Sequence, residues 1–444
     1  MIDQHIKDFN NNIIGLREFV DLIDPFLNKQ IDEHHEHIIP FFQYGLISEL
    51  LAGNKDLGDE EIENLKANKL NLEEKIRLKF PKIPEVIVRK VEKGNERKVE
   101  FTFTVADQNL QRHFKAVTKK YGYIDLLYTN SLISCLSSVE LFFSQLLHYF
   151  YDRYPESAGV QKRTMTLNEL KGFDSISDAE KYLIDSKIEE VLRGNIESWI
   201  HLLKSELSFG LSYLSEMTDE LVEIYQRRNL LVHNGGVVNS IYIAKVKQEL
   251  RKDFALDSRL KVDKDYLDKS ICKLQKTFLL ISAELWKKTE PNNESRGEVL
   301  GELVYENLLY SRWEIAEGLS YFILRDSCTD PVDKVIAQLN FWLCKKELGQ
   351  FNAIKDEISK ADYSDKKEIF QLGLYALRDD IKSFFEILPT ALESKQINIE
   401  RLEEFPILRE IRNTQEYKEF KEKSKYFRED NQEVEKVVEV KKID

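Results

Sequence analysis

The sequence predicts a mainly α-helical, multidomain protein, and three observations carry that prediction. The chain has 444 residues but holds only 17 Gly and 9 Pro, about 4% and 2%, against typical usage of ~7% and ~5%. So few turn residues cannot serve the many tight turns of a sandwich or barrel. Apolar residues recur at helical spacing along most of the chain, while clear period-two alternation is confined to Glu85–Val105. At ~100–200 residues per domain the length suggests two to four domains. With 42% hydrophobic residues the chain can bury real cores, which excludes global disorder.

Residues 1–118 read as a small N-terminal α+β module of unassigned role. Ile14, Leu16, Phe19, Val20, Leu22 and Ile23 set a first helical pattern, Ile38 to Leu51 a second, and Asp59 to Phe80 a third, more charged one. Pro81 and Pro84 break the pattern. Val86 and Val88, then Val99, Phe101, Phe103 and Val105, alternate with polar residues around Gly94-Asn95, which predicts one β-hairpin.

Residues 119–290 read as a central helical bundle. Tyr121 to Tyr154 is nearly continuous in Leu, Phe and Tyr, so it is expected to touch neighbours on most sides; Ser134, Ser137 and Ser138 allow close approach. Residues 155–175 are expected as a loop, and Ser177-Asp178-Ala179-Glu180 has capping-box spacing for the next helix. A further helix covers Asn195 to Tyr213. Another starts at a Thr218 N-cap followed by Asp219 and Glu220, and runs to His233. Asn234-Gly235-Gly236 ends it, because these residues tolerate left-handed geometry. Tyr266 to Trp286 closes the bundle as an amphipathic helix.

After the polar linker Glu290–Arg296, residues 297–426 alternate short helices and turns: Gly297–Leu309, Arg312–Arg325, Pro331–Leu348, Phe351–Ala361, Lys366–Leu377, Arg378–Leu388 and one past Gln415. This suits a tetratricopeptide-like helical-repeat module, though no strict 34-residue period shows. Residues 427–444 read as a charged tail.

Charge and cysteines narrow the function classes. A net charge of −13 excludes a globally basic nucleic-acid binder, but not an enzyme that meets RNA through a local patch. Cys135, Cys272, Cys328 and Cys344 form no CxxC and read as reduced thiols. The start Met1-Ile2-Asp3-Gln4 has no signal-peptide pattern. No apolar run is read as reaching the ~18–20 residues that span a bilayer. The expectation is a soluble, cytoplasmic protein without a membrane partner.

The sharpest local feature is Arg228-Asn229-Leu230-Leu231-Val232-His233 followed by Asn234. By chance about 0.36 Arg–His pairs at this spacing are expected in the chain, and about 0.02 with Asn directly after the Arg. These residues resemble the motif of the HEPN superfamily, R-(polar)-x-x-x-H near a helix end, over about residues 120–290. The resemblance implies a dimeric, metal-independent endoribonuclease without a cofactor, often in toxin or antiviral defence systems, leaving 2′,3′-cyclic phosphate and 5′-hydroxyl ends.

The residue chemistry agrees with it. Asn229 and His233 share a helix face, and Arg228 is one step round and long enough to reach the same site. His can shuttle a proton, Arg can hold a phosphate bidentately, and RNA brings its own 2′-hydroxyl nucleophile. A general acid and a general base call for two His, which a homodimer supplies. Glu140, inside the apolar run Leu136–Leu147, is read either as the partner of Arg228 or Arg227 or as a residue on an exposed face. Between Lys245 and Lys288, 12 bases face 7 acids, an RNA-facing flank or an ordinary solvated surface. Two alternatives stay open: Arg228 and His233 as cations at a helix C-terminus, and a non-catalytic HEPN and helical-repeat scaffold with a protein partner or trigger on the C-terminal helices.

Other features are read structurally. Glu33-His34-His35-Glu36-His37 forms no HExxH and is taken as a polar segment, with an opportunistic metal site as the other reading. His113 with Arg112 and Lys115 is a surface patch, and Trp199, Trp286, Trp313 and Trp342 are core residues. No phosphate-binding glycine loop occurs.

Overall fold

Helix dominates the computed structural model, which describes residues 2–53, 59–79, 85–93, 96–104, 108–207, 213–251 and 254–424. Contact density divides the chain into two units. One comprises Met1–Ile14, Ser134–Leu260 and the described chain from Asp268, the other Gly15–Ile133 and Lys261–Leu267. The principal elements in chain order are α1 (Ile2–Gly53), α2 (Asp59–Lys79), β1 (Glu85–Lys93), β2 (Glu96–Thr104), α3 (Gln108–Arg153), α4 (Ile176–Leu192), α5 (Ile196–His201), α6 (Tyr213–His233), α7 (Ser240–Lys245) and α8 (Lys264–Thr289). After them come α9 (Ser295–Leu309), α10 (Trp313–Arg325), α11 (Pro331–Glu347), α12 (Glu368–Leu377), α13 (Ile381–Glu393), α14 (Ile399–Glu404) and α15 (Gln415–Lys423).

Several sequence expectations are corrected. The first two helical patterns are one helix, α1, with Pro25 and Pro40 inside it. The boundary expected between residues 118 and 119 falls within α3, and the contact division places the bundle and the C-terminal helices in one unit. Ser175, not Ser177, caps α4: its hydroxyl accepts from the Asp178 backbone N–H at 3.1 Å. The stretch expected as a loop before it contains two 3-10 turns and the short helix Leu167–Leu170. Thr218 lies inside α6, whose start is five residues earlier. In the C-terminal helices, Arg378–Leu388 shifts to Ile381–Glu393, and Ile399–Glu404 is an additional helix. The stretch Gln111–Arg153 of α3 is long enough, and in one 18-residue window apolar enough at a mean hydropathy of 1.3, to cross a membrane by length and composition. Yet Cys135, Leu136, Val139, Phe142, Phe143 and Leu146 of that stretch are buried in the protein. The turn at Gly94-Asn95 and the charged tail lie outside the described residues.

In the unit built on Gly15–Ile133, β1 and β2 pair antiparallel with Glu85 opposite Thr104 and Lys93 opposite Glu96. A small core gathers Ile31, Ile38, Phe41, Ile76 and Val117. The His-rich segment lies on α1, where His34 Nδ1 meets His113 Nδ1 at 3.1 Å and the His37 ring lies tilted against His113 at 4.3 Å between ring centroids. Among the described residues no group of three His, Cys, Asp or Glu could hold a metal ion.

The other unit is organised around aromatic packing. Phe143 stacks on Trp199 at 4.5 Å and meets Phe278 edge-on at 6.0 Å, while Phe9 stacks on Phe142 at 4.3 Å. Ile271, Leu274, Phe278, Ile281 and Leu285 form the buried stripe of α8. Beside Phe9 the buried Asn10 accepts from Gln275 Nε2 at 2.8 Å and donates to Glu306 at 2.6 Å. Helices α9, α10 and α11 pack consecutively, and α12 pairs with α13. The turns after α9 and α12 place Ser311 and Asp379 at φ 56° and 57°, positions where glycine is the usual residue.

A polar knot joins α3, α8 and α9. The Glu290 carboxylate accepts from Tyr149 OH (2.6 Å), Arg153 (2.7 Å), Trp286 Nε1 (3.1 Å) and Asn293 (2.6 Å). Arg296 is fully buried and donates to Asp326 at 2.6 Å and to the Glu290 carbonyl at 2.9 Å.

The hydrogen bond from Tyr149, followed by those from Asn293 and Trp286, holds the Glu290 carboxyl below its ordinary range against the opposing effect of burial. A lowered carboxyl pKa stabilises the fold above the unfolded value of ~4.3, and the gain disappears as pH falls through the folded pKa. Glu290→Gln is therefore expected to lower stability by about 1–2 kcal/mol at neutral pH. The difference from wild type should close below about pH 4 in urea melts. A constant difference across that range refutes the assignment.

Candidate functional site

Local sequence sets the end of α6, and with it the site. The Asn234 and Gly236 backbone N–H groups both bond to the Leu230 carbonyl, at 2.8 and 2.9 Å, and Gly235 and Gly236 adopt φ of 57° and 80°. This is the left-handed cap that terminates a helix after its last turn. A Cβ on Gly236 would approach the Leu260 carbonyl to 3.0 Å, so the position also needs the missing side chain. Asn234 caps outward, donating through Nδ2 to the Val237 carbonyl at 2.7 Å. Leu230 anchors the end in a cluster with Val238, Tyr242, Val246 and Leu260.

Arg228 and Glu140 are brought together. Arg228 Nη2 donates to Glu140 Oε1 at 2.9 Å, with side chains 22% and 33% exposed, so the pair sits at a wall that solvent can reach. Arg228 Nη1 donates to Asn229 Oδ1 at 3.2 Å, which holds the guanidinium from a second direction. Arg228 Nε and the Tyr225 hydroxyl are buried without a hydrogen-bond partner among the described residues. Burial, with Glu140 and Cys135 adding to it, pushes the Tyr225 hydroxyl well up, so it remains neutral. His233 is exposed at the helix end, four residues beyond the half-buried Asn229.

Arg227 goes elsewhere. It is buried and donates through Nε to Glu223 Oε1 at 2.8 Å, an oxygen that also accepts from Tyr242 OH at 2.8 Å. Its guanidinium carbon lies 5.2 Å from the centroid of the Phe254 ring. Burial and then Glu223 raise the Tyr242 hydroxyl, keeping it a donor. Glu223, with Arg227 as its counter-ion, thus fastens α6 to α7, and of the two arginines it is Arg228 that meets Glu140.

The basic stretch 245–288 is less basic in place than in sequence. Lys245 pairs with Glu197, Lys247 with Asp219, Lys273 with Glu220 and Lys276 with Glu317. Arg259 is exposed beside the motif, because Val237 and Arg259 form an antiparallel bridge and the Leu260 N–H donates to the Gly236 carbonyl at 2.8 Å. The sequence does not single it out. Nothing local marks a pairing between segments 22 residues apart.

Comparison of the chain with family models, with curated proteins and with solved structures finds no match.

The two neighbouring arginines separate experimentally. Arg227→Ala strands the Glu223 carboxylate in the interior and is expected to cost about 3–5 kcal/mol. Arg228→Ala, at a part-exposed pair, should cost roughly 1 kcal/mol or less. Equal losses in chemical denaturation would contradict the contrast between them.

Proposed function

We propose that this chain is a metal-independent endoribonuclease of the HEPN type that acts as a homodimer. The observation that carries the reading is the end of α6. There a cation held by Glu140 and Asn229 lies on the same helix end as the exposed imidazole of His233. A fixed guanidinium stabilises charge that builds on a phosphate in the transition state, and it needs no reorganisation to do so. In the proposed reaction one His233 removes the proton from the RNA 2′-hydroxyl. The 2′-oxygen forms a bond to phosphorus, the P–O5′ bond breaks, and the partner's His233 gives a proton to the departing 5′-oxygen. Products with 2′,3′-cyclic phosphate and 5′-hydroxyl ends follow. In this proposal Arg228 takes the non-bridging oxygens, and Arg259 meets the neighbouring phosphate.

Dimerisation has a surface to use. Within the motif Val232 is 47% exposed, and beside Glu140 Leu141 is 57% exposed, apolar area that a second copy would cover. In this proposal the C-terminal helices receive the protein partner or trigger that restrains a nuclease harmful to its host. A second reading, a non-catalytic scaffold, draws on the acid-paired lysines, which leave the flank with little unpaired charge for a polyanion.

Mixed RNA incubated with the purified protein in EDTA is expected to be cleaved to cyclic-phosphate ends. His233→Ala should lower the rate by ~10²–10⁴, and Arg228→Ala by ~10²–10³. Intact RNA with every variant, wild type included, favours the scaffold. Mixing inactive His233→Ala with inactive Arg228→Ala chains tests the dimer further, since a composite site predicts altered, non-additive activity. A monomer that cleaves at the full rate would refute the two-copy site.

A further inference from the structure

Away from the motif helix, α9, α11, α12 and α14 enclose a cleft of about 770 Å³. That lies in the ~300–1,000 Å³ range of sites for single small organic ligands. Its floor is apolar and deep, with Leu308, Ile323, Leu339 and Leu372 all buried. Gly301 keeps it open: a Cβ there would meet nothing within 4 Å. The rim has the opposite character. Glu298, Glu302, Glu400 and Glu404 are exposed along it and Asp333 is half-buried, against Arg401 as the opposing base. Burial, then the charges of Asp330 and Glu298, raise the Asp333 carboxyl. The chain itself shows what this rim accepts, since Lys7 places its ammonium on Glu302 Oε2 at 2.6 Å. No salt bridge engages Glu298, Glu400 or Glu404 among the described residues.

We propose that this cleft is a binding site for a small cationic amphiphile, an organic amine whose apolar chain lies on the floor and whose ammonium sits among the rim carboxylates. Apolar burial supplies attraction without direction, and the carboxylates select for positive charge. The same carboxylates repel phosphates, fatty acids and nucleic acid, so the cleft is chemically distinct from the Arg228 site. Because Lys7 already occupies Glu302, the ligand and Lys7 compete for that oxygen.

The test is calorimetric titration of the full chain with decylamine, 1-decanol and decanoate, each below its micelle concentration. Decylamine is expected to bind at least tenfold more tightly than decanol, with decanoate silent, and to weaken as salt is raised. Gly301→Leu, checked for native helix content by circular dichroism, should abolish binding by filling the floor. Lys7→Gln should tighten it severalfold by releasing Glu302, an effect that a merely greasy groove would not show. If Gly301→Leu does not fold, the pair Glu400→Gln and Glu404→Gln should weaken decylamine by tenfold or more. Equal affinity for amine and alcohol, or full amine binding in the filled or neutralised cleft, overturns the proposal. So does a basic amphipathic peptide that binds where decylamine does not.

Discussion

The buried pair of Glu223 and Arg227 constrains everything at the end of α6. Two charges taken out of water are tolerated only with close partners, and here one carboxylate oxygen serves both Arg227 and Tyr242. That arrangement fixes the rotation of the helix about its axis. A step of 100° per residue then turns Arg228 towards Glu140 rather than into the interior. It also places His233 at the rim, where the double-glycine cap stops the chain. A change in rotation would bury the wrong arginine and leave two unpaired charges.

Legibility in the sequence followed range. The cap at Asn234-Gly235-Gly236 was readable because its geometry depends on three neighbouring residues. Glu140 was readable as a partner for an arginine, since a carboxylate inside an apolar run needs one. Which arginine it would meet was only half visible. Glu223 and Arg227 are four apart, a spacing that favours an ion pair, but the Tyr242 hydroxyl that completes the trio comes from the next helix. The basic count of the 245–288 stretch misled for the same reason, because Glu197, Asp219, Glu220 and Glu317 lie outside it.

Element boundaries failed where a local signal met a stronger tertiary one. Thr218 has the chemistry of an N-cap, yet α6 starts earlier and carries it inside. Pro25 and Pro40 signal breaks, yet α1 continues through both. The scarcity of glycine, correctly read as helical, has a cost at the turns. Ser311 and Asp379 take left-handed backbone that a Cβ disfavours. Asp379 is compensated through its carboxylate, which accepts from Lys346 at 2.7 Å.

The contacts of Asn10 have a temporal meaning. This residue is satisfied by Gln275 and Glu306, partners 265 and 296 positions further along the chain. Such distant contacts form slowly, because a long loop must close before they give anything back. On a ribosome delivering ~5–20 residues per second, the niche around Phe9 and Asn10 stays incomplete for tens of seconds after the first helix has emerged. The segment bearing Arg228 and His233 is therefore translated well before the unit that holds it can close, and a chain interrupted between His233 and Gln275 carries the motif without its finished scaffold.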